Sequence, residues 1–186
     1  MYLTREDAIK LLKTHVQAET LRNHCLATEA IMRALAQRLG ADEELWSLVG
    51  LLHDLDFEYT RDNPTTHGRK TVELLSPYVL PQQATDAILR HNAEALQLQR
   101  ETALDYALTC AETITGLIVA AALVHPDKCL RSLTPKSVAK RMKSKDFARN
   151  VNRAHVALCE QLTIPQSDFI ALSLEAMTAN SSQLGL

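Results

Sequence analysis

Leu48-Val49-Gly50-Leu51-Leu52-His53-Asp54-Leu55-Asp56 sets a histidine and an aspartate side by side at the end of an apolar run. Burial in a helix would otherwise favour leucine there, because an imidazole and a carboxylate are costly to bury without partners. Consecutive helical residues point about 100° apart, so both side chains can reach one ion that lies between their directions. The stretch therefore predicts a buried helix that delivers two metal ligands at its C-terminal end.

Composition narrows the class of protein. Of the 186 residues, 46% are hydrophobic, which is ample for the core of one domain or of one domain with an extension. The net charge of −2 carries no overall nucleic-acid signature. The cysteines lie far apart without a CxxC spacing, which fits reduced thiols in a cytosolic protein. They are Cys25, Cys110, Cys129 and Cys159.

No membrane segment is predicted. Residues 1–6 include no apolar signal region, and the longest apolar run, near Ile114 to Val124, is too short to span a bilayer. We therefore expect a soluble, cytoplasmic protein without a membrane partner, and the oligomeric state stays open.

Helical patterns follow one another along the chain, with no sustained alternation of β-branched residues. We predict a first helix capped by Thr4, a second from about Glu19 to Leu39 that ends at Gly40, and a third that begins at Asp42 and delivers His53. Further helices are predicted over residues 66–75, 81–95, 102–124, 135–143, 146–162 and 167–179, and the polar break 55–64 is predicted as a loop that overhangs the doublet. The predicted fold is all-α, a single-domain helical bundle in which residues 1–125 bind metal and residues 126–186 form a basic C-terminal helical extension packed on the same domain.

Four further side chains are candidate ligands. Glu112 is the only carboxylate, lysine or arginine between residues 106 and 126, in a helix that is apolar nearly all round. A carboxylate there needs a cation, a hydrogen-bonding partner or a proton, so a metal and a buried ion pair with Arg or Lys both stay open. His24, His67 and His91 lie on or beside other helices, and each taken singly also fits a hydrogen-bonded core histidine.

The order of these residues is more specific than any of them alone. A histidine comes first, followed by the doublet in His53-Asp54-Leu55-Asp56 and then by two histidines and an acid. In this order the chain resembles the HD superfamily of metal-dependent phosphohydrolases, in particular its HDIG-like subgroup. The resemblance covers about residues 20 to 125, and the wider chain is similar to short bacterial HD proteins of unassigned substrate. Glu112 stands where the family normally has aspartate, and Asp56 and Phe57 replace the isoleucine and glycine of the name motif.

The resemblance implies an HD-type bundle and a ligand set. One divalent metal would be held by His24, His53, Asp54 and Glu112, while His67 and His91 would complete a second site with Asp54 bridging. Imidazole and carboxylate ligands suit Mn, Fe, Co, Ni or Zn, as one or two ions. The implied reaction is hydrolysis by metal-activated water, with Asp54 at the site and Asp56 or Glu58 as general acid or base. Acidic loop residues also fit a merely solvated surface.

Basic residues are concentrated after Pro126. Between Pro126 and His155 there are nine basic and two acidic residues, so this segment carries +7 and the rest of the chain −9. Such asymmetry can steer a phosphate substrate, with Lys128, Lys136 and Arg141 as candidate contacts, and a solvated helical face is the alternative. Nucleic acid is a further option, but Phe147 is the only aromatic residue among the bases, so stacking on single strands is unsupported.

Three classes of function therefore remain. The first is a metal-dependent hydrolase of a phosphate ester, such as a nucleotide or another small phosphorylated metabolite. The second is a di-iron oxygenase of the kind that also occurs on the HD fold, with the same ligands. The third is a non-catalytic helical signalling or interaction module in which Glu112 reflects decay of the site.

Overall fold

The computed structural model describes residues 3–185. Within this range the chain forms α-helices and short 3-10 turns and no strand, which confirms the all-α prediction. The α-helices are α1 (Arg5–His15), α2 (Glu19–Leu39), α3 (Glu43–Leu52), α4 (Phe57–Thr60), α5 (Arg69–Leu75), α6 (Gln82–His91), α7 (Ala93–Leu96), α8 (Ala103–Leu123), α9 (Pro135–Lys143), α10 (Arg153–Ala157), α11 (Gln166–Ala179) and α12 (Ser181–Leu184).

Local sequence explains where the helices begin and end. Thr4 accepts a hydrogen bond from the amide of Asp7 at the start of α1, and Asp42 accepts one from the amide of Leu45 at the start of α3. Gly40 ends α2 in the left-handed region, with φ of 66°, where a residue without Cβ is least strained. The predicted helices over residues 19–39 and 135–143 are confirmed.

Three stretches differ from the prediction. The polar break contains the short helix α4 rather than only loop, since the carbonyl of Asp56 accepts the amides of Tyr59 and Thr60. The helix predicted over 81–95 is broken at Asn92 into α6 and α7. Residues 146–152 form turns rather than helix. The guanidinium of Arg153 donates hydrogen bonds to main-chain carbonyls that would accept from amides in a helix. These are the carbonyls of Ser144, Phe147, Ala148 and Val151.

The central helix is α8, which packs against α2, α6, α9, α10 and α11. Its apolar side chains lie in one buried core together with side chains from the last third of the chain, such as Phe169 and Met177. The helices after Pro126 therefore share the core of the preceding ones. This common core holds rigid the helices that carry the candidate ligands.

Helix α8 is also long and apolar enough to cross a membrane by length and composition. The expectation that no segment is long enough rests on the apolar run 114–124 alone, whereas Ala103–Leu123 forms one apolar helix. Of its apolar window, 67% is buried inside the structure, so α8 is a core helix of the bundle. The four cysteines are free thiols, as expected.

Helices α2 and α3 pack unusually closely at Gly50. A Cβ atom built at Gly50 would lie 2.9 Å from Cγ of Met32 and 3.0 Å from the carbonyl oxygen of Thr28. Any larger residue would push the helices apart, so glycine is required here by close approach. The contact lies one helical turn before His53 and brings that residue towards α2.

Candidate metal centre

Four histidines and one aspartate converge where four segments of the chain meet. His24 projects from the middle of α2, His53 is the C-terminal cap of α3, and Asp54 follows it directly. His67 lies in the turn before α5, and His91 is the last residue of α6. His53, Asp54 and His91 are buried, and His24 and His67 are partly exposed.

These five residues form two groups that share Asp54. Ligand atoms of His24, His53 and Asp54, the first triad, all lie within 4.8 Å of one another, and so do those of Asp54, His67 and His91, the second triad. Oδ2 of Asp54 is 3.6 Å from Nε2 of His24 and 3.5 Å from Nε2 of His53. Oδ1 is 3.3 Å from Nε2 of His67 and 3.6 Å from Nε2 of His91. Each carboxylate oxygen therefore serves one pair of histidines.

Main-chain carbonyls orient one histidine in each triad. Nδ1–H of His53 donates to the carbonyl of Gly50 over 2.8 Å, and Nδ1–H of His91 donates to the carbonyl of Ile88. A carbonyl can only accept, so Nδ1 carries the proton in both rings. The lone pair of each ring is then on Nε2, which faces Asp54.

Side chains orient the other histidine in each triad. Nδ1 of His67 lies 2.8 Å from Oδ1 of Asp56, a carboxylate that accepts its proton in a hydrogen bond. Nδ1 of His24 lies 2.8 Å from Oγ1 of Thr115, whose own proton goes to the carbonyl of Glu112 over 2.6 Å. The Thr115 oxygen can therefore only accept from His24. All four rings thus present Nε2 to the centre of the cluster.

This arrangement fits a metal ion. Nε2 of His24 and of His53 are 3.2 Å apart, and Nε2 of His67 and of His91 are 2.9 Å apart. With the Nδ1 atoms protonated, two lone pairs would face each other in each pair and repel, unless a cation or a further proton lies between them. Imidazole nitrogens with one carboxylate are the donor set of borderline divalent metals.

Burial and the neighbouring carboxylates set the protonation of the cluster. Burial lowers the pKa of His53 to about 3, so this ring is neutral and available as a ligand at pH 7. Burial alone would lower the pKa of His67 as well, but hydrogen bonds to Asp54 and Asp56 raise it to about 10, so this ring holds a second proton, on Nε2, that a metal ion would have to displace. Burial opposes ionisation of Asp54, yet the surrounding histidines hold its pKa well below the usual range. The carboxylate at the centre is therefore negative.

Asp56 supports His67 from inside the protein. Its side chain is fully buried, and besides His67 it accepts the amides of Gly68 over 2.8 Å and of Thr71 over 2.9 Å. The hydroxyl of Thr71 in turn donates to the carbonyl of His53. These contacts place Asp56 behind a ligand, where it orients the His67 ring.

Glu58 lies in α4, and its carboxylate reaches the residues that precede α2. Its two carboxylate oxygens accept the amides of Gln17 over 2.8 Å and of Ala18 over 2.9 Å, and these bonds lower its pKa. Both oxygens are therefore engaged in holding the α1–α2 connection. The structure does not bring Glu58 into either triad.

Glu112 lies beside the cluster but in neither triad. Its Oε1 accepts a hydrogen bond from Thr113 over 2.6 Å, and the main influences on its pKa are burial, which raises it, and His24, which lowers it. Among the described residues, no lysine or arginine lines the cavity that Glu112 lines, so the structure shows no basic partner for Glu112 on that side.

Two cavities open beside His24. The apolar cavity, of about 350 Å³, lies between α2, α8, α11 and α12. Its apolar walls are Ala27, Val119, Leu123, Met177 and Leu184. The polar cavity, of about 290 Å³, contains Glu112, Thr113, Asn150, Asn152 and His155. His24, Thr115 and Gly116 line both cavities, so the two meet at the edge of the first triad.

The basic residues selected from the sequence lie elsewhere. Lys128 and Lys136 are exposed, and Arg141 donates to the carbonyl of Ser137 on its own helix and lies over the ring of Phe147. None of the three lines the apolar or the polar cavity. The C-terminal segment reaches the polar cavity instead through uncharged Asn150 and Asn152 and through His155.

Thr115 and Thr71 are functional positions that the sequence did not reveal. Thr115 lies three residues after Glu112, on the same face of α8, and this spacing from an acid in an apolar helix is the only local signal for it. Thr71 carries no comparable signal, because its partners Asp56 and His53 are distant in sequence.

Comparison with protein families finds that a model described as HD domain matches residues 21–122. This range includes both triads, Asp56, Glu112 and Thr115. No curated protein and no solved structure matches the chain significantly.

Proposed function

We propose that the chain, which belongs to the HD domain family, is a metal-dependent hydrolase of a phosphate ester. HD domains are generally metal-dependent phosphohydrolases, and the two triads are groups that could hold divalent metal. The observation that carries the proposal is the shared Asp54, whose two oxygens each face a pair of oriented histidines. The substrate class we propose is a nucleotide or another small phosphorylated metabolite.

The chain's own residues would hold two ions at adjacent positions. His24, His53 and Asp54 are the ligands of the first, and Asp54, His67 and His91 those of the second. When bound, such an ion lowers the pKa of a coordinated water towards neutrality and stabilises negative charge on a phosphoryl oxygen. Glu112 is proposed as a further ligand of the first ion, supported by its place in the polar cavity beside His24.

Proton transfer is assigned differently from the sequence prediction. We propose that Asp56 orients His67 and does not exchange protons with the substrate, because it is fully buried and accepts three hydrogen bonds. Glu58 is proposed as a helix cap, since both of its oxygens accept main-chain amides. The buried Asp54 is proposed to keep its negative charge as the ligand that both ions share.

We further propose a cytoplasmic location, supported by the free cysteines and by the burial of α8 in the core. The basic segment is proposed to attract an anionic substrate over a distance rather than by contact. Its net charge of +7 supports this role, and its candidate contacts Lys128, Lys136 and Arg141 line neither cavity beside His24.

The test begins with metal analysis of the purified protein, followed by a screen of phosphate esters and nucleotides. We expect bound divalent metal and release of phosphate, both of which Asp54→Asn should abolish because it weakens both triads. Asp62→Asn, an exposed acid of the same segment, is the matched control and should change neither. Iron loading with oxygen consumption and no phosphate release would instead indicate the oxygenase, and a protein that binds no metal would indicate the non-catalytic module.

A further inference from the structure

We propose that the substrate carries an apolar group, which binds in the apolar cavity while the phosphate lies at the metal centre. This inference rests on the proposed function and specifies its substrate class as phosphate esters of apolar alcohols. It assigns the cavity between α2, α8, α11 and α12 as the specificity site of the enzyme.

The cluster opens towards this cavity. The side chain of His24 is 23% exposed, whereas those of His53, His67 and His91 are 1%, 15% and 6% exposed. A substrate therefore reaches the ligands most easily past His24. Of the five candidate ligands, His24 is the one that lines the apolar and the polar cavity, so a group that contacts His24 can extend into either.

The walls of the apolar cavity select an uncharged group. Among the described residues 3–185, His24 is the only ionisable side chain that lines it. Its apolar walls are Ala27, Val119, Leu123, Met177 and Leu184, and the uncharged polar side chains of Thr20, Asn23 and Thr115 complete the lining. Its volume of about 350 Å³ lies within the usual range of ligand pockets, roughly 300–1,000 Å³. Leu123 is 53% exposed and lines this cavity, so an apolar group bound there would remove part of its side chain from water.

Its shape favours part of a small molecule over a protein partner. Residues of four helices line a concave space that is partly open to solvent, and a candidate metal ligand, His24, is part of its wall. Gly116 keeps the junction with the polar cavity open, since a Cβ atom there would lie only 3.3 Å from Cγ2 of Val151. A substrate can thus place its apolar part on one side of Gly116 and its polar part on the other.

Binding of n-alkylphosphonates, which are not hydrolysed, tests the inference by calorimetry on the metal-loaded protein. Affinity should rise about fourfold with each added methylene from methyl to hexyl, the gain expected when each group leaves water. An affinity that does not depend on chain length would overturn the inference.

Two variants locate the binding in the cavity. Leu123→Gln should weaken hexylphosphonate roughly tenfold and leave methylphosphonate unchanged, since the loss affects only the apolar contact. Val124→Gln is the matched control, because Val124 is 59% exposed and does not line the cavity. Val119→Phe, which narrows the cavity, should shorten the chain length that binds best. Equal effects of the two glutamine variants would contradict the inference.

The result is separable from the proposed function. A protein that binds long phosphonates with this dependence but releases no phosphate would retain the apolar site and refute the hydrolase. A protein that hydrolyses phosphate esters regardless of chain length would retain the hydrolase and refute the apolar site. A shift from dimer to monomer in Leu123→Gln, with unchanged affinity for phosphonates, would show that a second copy covers the cavity. This result would also refute the apolar substrate site.

Discussion

Replacing Asp56 with asparagine tests whether this residue orients a ligand or transfers protons. The carboxylate accepts from Nδ1 of His67 on one oxygen and from the amides of Gly68 and Thr71 on the other. Asparagine keeps one oxygen, which satisfies the two amides, and turns its NH₂ group towards His67. Nδ1 of His67 must then accept, and the proton moves to Nε2, where the metal would bind.

The magnitude follows from these contacts. Loss of one charge-assisted hydrogen bond in a buried site should lower the free energy of unfolding by about 1–3 kcal/mol. Loss of the ligand's orientation should weaken metal binding about 10- to 100-fold. Only the second triad contains His67, so the first should keep its affinity.

Chelator competition and metal titration measure both sites, and melting in chelator measures the fold. Asp62→Asn serves as the control, since Asp62 is exposed in the same segment. The expected result is loss of one ion per chain with the other retained. Unchanged metal affinity together with a large fall in kcat would refute the reasoning and restore Asp56 as a general acid or base.

Four further predictions concern the site and its support. Thr115→Val should weaken metal binding at the first triad about 10-fold or more, and Thr115→Ser should restore it because the hydroxyl orients His24; equal affinities would exclude this role. Glu112→Gln should lower metal affinity with the fold intact, as melts with and without chelator would show, whereas a stability loss at constant metal content would make Glu112 purely structural. Gly50→Ala should destabilise the protein by about 1–3 kcal/mol through overpacking of α2 against α3, and an unchanged melting temperature would contradict the close approach. Lys136→Gln with Arg141→Gln should raise KM for an anionic substrate at low salt only, with kcat unchanged; a rise that persists at high salt would indicate direct contact.

Much of the fold follows from local patterns. Thr4, Gly40 and Asp42 mark helix ends because capping depends on residues only a few positions apart. The turns at 146–152 could not be predicted in this way. Their main determinant is Arg153, which lies after them and takes their carbonyls through its side chain, whereas the charge pattern of the segment favours a helix.

The site shows the same division between local and distant contacts. His24, His53, Asp54, His67 and His91 were recognisable by their order in the sequence, and the structure brings these five together. The supports were not recognisable, because Asp56 meets Thr71 fifteen residues later and Glu58 meets Gln17 across 41 residues. The position of an acidic residue near a ligand motif does not indicate from which distant donor it accepts a hydrogen bond. Charge density likewise does not tell which way Lys136 and Arg141 point.

The two triads are supported in the same way, but the two histidines within each triad differ in how easily a mutation can remove their support. In each triad one histidine is held by a main-chain carbonyl, from Gly50 or Ile88, and the other by a side chain, Thr115 or Asp56. Any substitution that preserves the helix preserves the carbonyls, so the supports of His53 and His91 tolerate sequence change. The supports of His24 and His67 are each lost when one residue, Thr115 or Asp56, is replaced. Each metal position could therefore be tuned or lost separately, by evolution or by design, without altering a ligand.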